Sequence, residues 1–188
     1  MILPIVAFGT PVLKQKAKKI DKDYQGLSEL IDNMFETMHE ANGVGLAAPQ
    51  IGKSIRLFIV DASPFGEDEP ELKDFQQVFV NPEIVEEEGE EWNFNEGCLS
   101  IPHIREDISR KPKIRIRYQD ENFDTYEEDF EGLAARIIQH EYDHVEGVLF
   151  TDYLNPLKKR LLKRKLNDIS KGNIRVDYRM NFPQKKGR

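Results

Sequence analysis

A single cysteine, Cys98, occurs among 188 residues, so no internal disulfide can form. Such scarcity fits a reducing, cytoplasmic setting. No run of eighteen apolar residues is present, which argues against a membrane-spanning helix. The apolar start, Met1 to Thr10, lacks a basic n-region and is broken by Pro4 and Gly9, so no secretory leader is expected. An Arg-rich transit pattern, internal repeats and low-complexity linkers are missing as well. Histidine is scarce, at four residues, and glutamate disappears after Glu146.

What remains is an ordinary globular composition. Hydrophobic residues make up 39% and charged residues 32%, too apolar for general disorder. The length suits one domain with a real core, with or without an appended helix. The net charge of −7 is unevenly spread. From Leu154 onward twelve Lys and Arg face only Asp168 and Asp177, a local +10 on a body of −17. A basic end on an acidic body suggests a polyanionic partner.

Thr10-Pro11 reads as a cap followed by Pro at the first helical position, so a short helix should begin there. Leu27, Leu30, Ile31, Met34, Phe35 and Met38 recur at helical spacing, and Asn42-Gly43 should stop that helix. Gly43 to Gln50 is Gly-rich, with neither helical nor strand periodicity. Ile55–Asp61 reads as a buried strand and Ser63–Asp74 as an exposed acidic loop. Gln77–Val85 and Lys113–Tyr118 are strand-like, with Pro82 marking an edge or a bulge. Thr125–Phe130 is a more polar strand. Gly132 precedes a strong helix that Gly147 should end. Asn155-Pro156 then opens a last basic helix, about 156–170, ended by Gly172. The fold class expected is α+β: mostly antiparallel sheets around a central buried helix, with N-terminal helices and a C-terminal helix.

The strongest motif is His140-Glu141-Tyr142-Asp143-His144. Histidines at i and i+4 of a helix project together and can grip one metal ion, with Glu141 placed to take a proton from water. The ordinary alternative is a pair of surface histidines. Here they share a face with Leu133 and Ile137, which places them inside, where uncharged imidazoles need partners. A catalytic site needs a third protein ligand. Phe150 stands where a third His would complete the pattern His140-Glu-x-x-His144-x-x-Gly147-x-x-His, and no Glu follows Glu146. The remaining soft donor is Cys98, in Asn95-Glu-Gly-Cys-Leu-Ser-Ile-Pro102, with Gly97 permitting close approach. A lone cysteine is ordinarily core filler; by elimination Cys98 becomes a metal ligand with His140 and His144. His39, near a helix end beside Glu36 and Glu40, reads as solvent-exposed. His103 falls in a loop after Pro102 without a partner at ligand spacing.

Three segments together, Gly43-Val-Gly-Leu-Ala-Ala-Pro-Gln50, Glu96-Gly-Cys-Leu-Ser100 and Gln139-His-Glu-Tyr-Asp-His144, resemble the signature motifs of bacterial peptide deformylases in order and spacing. The similarity runs from about Met1 to Gly172. The resemblance implies one catalytic domain over 1–172 and a basic tail over 173–188. It implies a Cys98, His140, His144 site holding one Fe2+, with Zn2+, Ni2+ or Co2+ as substitutes. The reaction implied is hydrolysis of the formyl group from N-formylmethionyl nascent peptides. By resemblance, Glu141 shuttles the proton, and the Gln50 amide and the Leu99 backbone N–H meet the oxyanion. Val44 and Gly45 would form an edge that pairs with the peptide. Gly97 and Arg105 would contact substrate, and Leu133 and Ile137 would line the methionine pocket. Arg136 replaces the apolar residue usual in the family, which implies a more polar pocket mouth or an Arg lying at the rim. The basic helix, packed through Leu157, Leu161, Leu162, Leu166 and Ile169, would dock on the ribosome; no membrane or DNA partner is expected. Two other readings stand beside this one: a zinc endopeptidase, and a ribosome- or RNA-binding module without catalysis.

Overall fold

A computed structural model describes residues 1–183. In chain order the regular elements are β1 (Ile5–Val6), α1 (Leu27–Glu40), β2 (Gly45–Ala47), β3 (Leu57–Asp61), β4 (Gln76–Glu88), β5 (Trp92–Cys98), β6 (Ile101–Arg110), β7 (Lys113–Gln119), β8 (Thr125–Glu131), α2 (Gly132–Glu146), α3 (Pro156–Ser170) and β9 (Met180–Asn181). Among the described residues they make a five-stranded antiparallel sheet in the order β2-β3-β4-β7-β8, the hairpin β5-β6, and a parallel pair β1-β9. The α+β class read from the sequence holds.

The sheet's inner face and α2 build one core. Phe58, Phe79, Ile114 and Ile116 meet Ala134, Ala135, Ile138 and Val145 there. Two small residues, Ala134 and Ala135, let the helix backbone lie close to the strands. On a second core, Leu30, Ile31, Met34 and Met38 of α1 pack on Leu46, Leu57 and Ile59. Gly147 ends α2 at φ +76, and a Cβ there would stand 2.9 Å from the backbone of Lys14 and Gln15, so only glycine fits. Asn155 caps α3 by accepting from the Lys158 N–H at 2.9 Å.

Several expectations need correction. Thr10 does not cap: its hydroxyl donates to Ala7 O at 2.7 Å, and only a 3-10 turn, Pro11–Lys14, follows. The Gly-rich segment contains β2 and a 3-10 turn, Ala48–Ile51, because three residues are too few to display a strand period. The Pro82 expectation holds in its second form: Pro82 lies inside β4, which is flanked on both sides, at a register slip between Val80 and Glu83. The acidic loop is not exposed throughout: it holds two 3-10 turns, Ser63–Phe65 and Pro70–Leu72, and Leu72 at the end of the second is buried. His103 lies in β6, where the register jumps between Gly97 and Cys98 and the histidine adopts φ +64. On α3 only Leu162 and Ile169 are buried, with Leu166 packed beside them; Leu157 and Leu161 are 66% and 70% exposed. No described helix is long and apolar enough to cross a membrane.

Candidate active site

Helix α2 and the β5-β6 turn face each other across a cleft of about 620 Å³. The helical spacing of His140 and His144 turns both rings toward the end of β5, where Cys98 sits. Their donor atoms and the Cys98 sulfur all lie within 4.8 Å of one another. Cys98 Sγ is 3.3 Å from His144 Nε2. His140 Nδ1 bonds Glu96 Oε2 at 3.1 Å, which leaves its Nε2 for the cluster.

The electrostatics suit a cation. Burial pushes His144 well below the ordinary imidazole value, so it stands in the neutral, ligating form. For His140 burial acts the same way, but the bonds to Cys98 and Glu96 prevail and hold it well above normal. Burial raises Glu141 to about 7, and its Oε2 has no hydrogen-bond partner in the protein. A base of that strength beside a Cys-His-His cluster can exchange protons near neutral pH. The donor set, one thiolate and two imidazoles within 4.8 Å of one another, thus fits a borderline divalent ion.

Gln50 is 1% exposed and held from both ends. Its Oε1 accepts from Ala47 N–H at 2.8 Å, and its Nε2 points at Cys98 Sγ, 3.5 Å, and Ser100 Oγ, 3.4 Å. Gly45 lies against Glu141: a Cβ there would stand 2.7 Å from the Glu141 Cδ. Strand β2 is an outer strand of its sheet, with Val44 O accepting from Asp61 N–H on the inner side. Leu99, Gly97, Arg105, Leu133 and Ile137 line the same cleft, and the Arg105 Nε donates to Asn95 Oδ1 at 2.9 Å. Every candidate ligand, catalytic and substrate-binding residue singled out from the sequence lines this cleft or belongs to the cluster at its floor; His103 lines it too, and His39 does not. His39 is exposed and bonds Asp61 Oδ2 at 2.7 Å. The ring of His103 donates to Arg175 O at 2.7 Å.

Arg136 is neither at the rim nor at a pocket mouth. It is 2% exposed in the cleft's inner wall, over the Trp92 ring at 4.5 Å. It donates to Glu96 Oε1 (3.1 Å), Ile108 O (2.9 Å) and Trp92 O (2.6 Å). Glu96 also takes Arg110, at 2.7 and 3.1 Å, and Arg110 reaches Asp143 at 2.8 Å. Sequence reasoning missed this buried network. The Glu96-Gly97-Cys98 spacing hinted at Glu96, but Arg110 and Arg136 reach it only through the fold. The segment 173–178 beside the cleft was missed as well.

An α+β fold that sets a cysteine and an HExxH helix at the floor of one cleft defines a metal-dependent hydrolase. The model of the polypeptide deformylase family matches residues 2–160. The chain is 60% identical to a peptide deformylase of Christiangramia forsetii, over 99% of this chain and 98% of that one. It is 55% identical to one of Flavobacterium psychrophilum, over 99% and 100%. A solved peptide deformylase of Legionella pneumophila superposes with TM-score 0.80 at 40% identity, covering 92% of this chain and 98% of that one. The chain belongs to the peptide deformylase family, metal-dependent hydrolases that remove the formyl group from N-formylmethionine. Neither the endopeptidase nor the non-catalytic RNA-binding reading is supported.

Proposed function

We propose that Cys98 Sγ, His140 Nε2 and His144 Nε2 hold one iron(II) ion, replaceable by zinc, nickel or cobalt, and that the cleft deformylates nascent chains in the cytoplasm. The observation that carries this is the three donor atoms within 4.8 Å of one another, with the partnerless carboxylate oxygen of Glu141 alongside. A thiolate with two imidazoles suits a borderline ion. When bound, that ion supplies Lewis acidity toward water and toward the formyl oxygen.

The protein's own groups do the rest. Glu141 takes the proton of the attacking water and passes it to the leaving amine; its value of about 7 suits both transfers. Gln50 Nε2, fixed through its own Oε1, and the Leu99 backbone N–H meet the oxygen as it becomes negative. The free edge of β2 at Val44 and Gly45 pairs with the peptide backbone. Gly97 gives the peptide room on the opposite side and Arg105 faces its later residues. Leu133 and Ile137 form the apolar bed for the methionine side chain. The test measures formate release from a formyl-Met tripeptide against internal cleavage of an unformylated peptide. Formate release alone is expected; internal cleavage without formate would overturn the reading.

The basic helix supports a ribosomal station. Arg160, Lys163, Arg164 and Lys165 are exposed, whereas Lys158 is tied to Glu106 at 2.7 Å. Exposed cations favour RNA phosphates, with counterion release making affinity salt-dependent. Lys185, Lys186 and Arg188 lie outside the described residues. Charge reversal at Lys163, Arg164 and Lys165 should abolish ribosome co-sedimentation while tripeptide hydrolysis stays within about twofold. Unchanged co-sedimentation would leave these charges as a solvated face.

A further inference from the structure

Beyond residue 160, where the family match ends, the chain returns to the cleft. After α3, Arg175, Val176, Asp177 and Tyr178 form part of the cleft wall. The return is anchored at its far end, where β9 pairs with β1: Ile5 N–H donates to Arg179 O at 2.9 Å and Ala7 N–H to Asn181 O at 2.8 Å. It is anchored at its near end by the His103 ring, which donates to Arg175 O. That histidine sits at φ +64, a backbone state a non-glycine residue adopts only when its surroundings hold it. Between the two anchors, the Tyr178 hydroxyl donates to Leu99 O at 2.7 Å.

Leu99 and Ser100 are the two residues of the turn between Cys98 and Ile101, which pair across it. Both of their carbonyls are held from outside. Phe8 N–H donates to Ser100 O at 2.8 Å, and Tyr178 holds Leu99 O. A residue has two soft backbone dihedrals. The Leu99 N–H belongs to the peptide between Cys98 and Leu99, and Leu99 O to the next one; with Cys98 paired in its strand and Tyr178 holding the following peptide, both ends of the peptide that carries the N–H are pinned.

We propose that the C-terminal segment Arg175–Tyr178 is a working wall of the active cleft, and that Tyr178 is a positioning residue that aims the Leu99 N–H at the reacting oxygen. This rests on the deformylase reading above. Tyr178 touches neither the formyl group nor the metal-ligating atoms in this account; it holds the Leu99–Ser100 peptide and acts through the Leu99 Cα on the peptide before it.

Tyr178→Phe keeps the ring and removes only the donor. Two quantities are measured on the metal-loaded protein: steady-state formate release per bound metal, and amide hydrogen exchange of Leu99 and Ser100. The expected result is kcat lower by about 3–10-fold, the worth of one hydrogen bond, with KM within about twofold and turn exchange faster by a similar factor. Faster exchange with unchanged kcat would reduce Tyr178 to packing and overturn the proposal. Lower kcat with unchanged exchange would mean that it acts by another route, which overturns it equally. A wild-type protein that releases no formate sinks the deformylase reading instead, an outcome distinct from an active wild type with an indifferent variant.

Discussion

Glu96→Gln tests whether the buried network behind His140 holds the site together. The Glu96 carboxylate is 4% exposed and receives four hydrogen bonds, two from Arg110 and one each from Arg136 and His140. Burial alone would raise its pKa, but the His140 and Arg110 bonds outweigh burial and hold it at about 2 against an ordinary 4.5. Each unit corresponds to about 1.4 kcal/mol, so the carboxylate contributes roughly 3 kcal/mol of folding stability. Independently, breaking a buried ion pair by removing one partner costs about 3–5 kcal/mol, because the guanidinium ions are left uncompensated. The two figures overlap near 3 kcal/mol. Because the folded value is depressed, the contribution is present above pH 4.5 and is lost as pH falls toward 2. The gap between wild type and Glu96→Gln should therefore be about 3 kcal/mol at pH 6 and roughly half that at pH 3. For a chain of this size that corresponds to a melting temperature lower by about 6–12 °C at pH 6. Chemical unfolding of chelator-treated protein at both pH values reads the gap directly. A gap under about 1 kcal/mol, or one equal at the two pH values, would refute the reasoning.

Three further outcomes follow from the same geometry. Gly45→Ala drives a methyl into the Glu141 carboxylate, so turnover should fall by about 10²-fold or more with metal content unchanged; near-normal turnover would show that Glu141 is free to move aside. Gln50→Ala should lower kcat by about 10²–10³-fold with little change in KM, whereas a raised KM at constant kcat would assign Gln50 to substrate positioning. The iron-loaded enzyme should lose activity in air and the nickel- or zinc-loaded enzyme should not, since a thiolate lies beside a redox-active ion; iron activity persisting for days in air would contradict this.

The sequence exposed those parts of the fold that rest on local pattern. Helices α1, α2 and α3 were legible because their apolar spacing, the Asn155 cap and the Gly147 stop act within a few residues. Strands β3, β4, β7 and β8 showed through buried runs or alternation. The β5-β6 hairpin did not, because Trp92–Cys98 mixes polar and apolar residues and its partner is interrupted by the bulge at His103. Strands β1 and β9, two residues each, carry no period at all. At the site, the helical pair of histidines and the lone cysteine were readable as chemistry. The role of Arg136 was not. A buried arginine and a rim arginine look alike until the fold brings Glu96, Trp92 and Ile108 O around the guanidinium. Tyr178 is the same case at longer range, since its partner Leu99 is 79 residues away.

The central claim is that Cys98, His140 and His144 hold one ion that Glu141 serves without binding it. Metal analysis of anaerobically purified wild type, Cys98→Ala and Glu141→Ala, in one series, tests this most directly. The account predicts one ion per chain in wild type and in Glu141→Ala, with turnover in the latter lower by about 10²–10⁴-fold, and loss of the ion in Cys98→Ala. A Cys98→Ala protein that keeps one ion per chain and full activity, or a Glu141→Ala protein that loses it, would contradict the account.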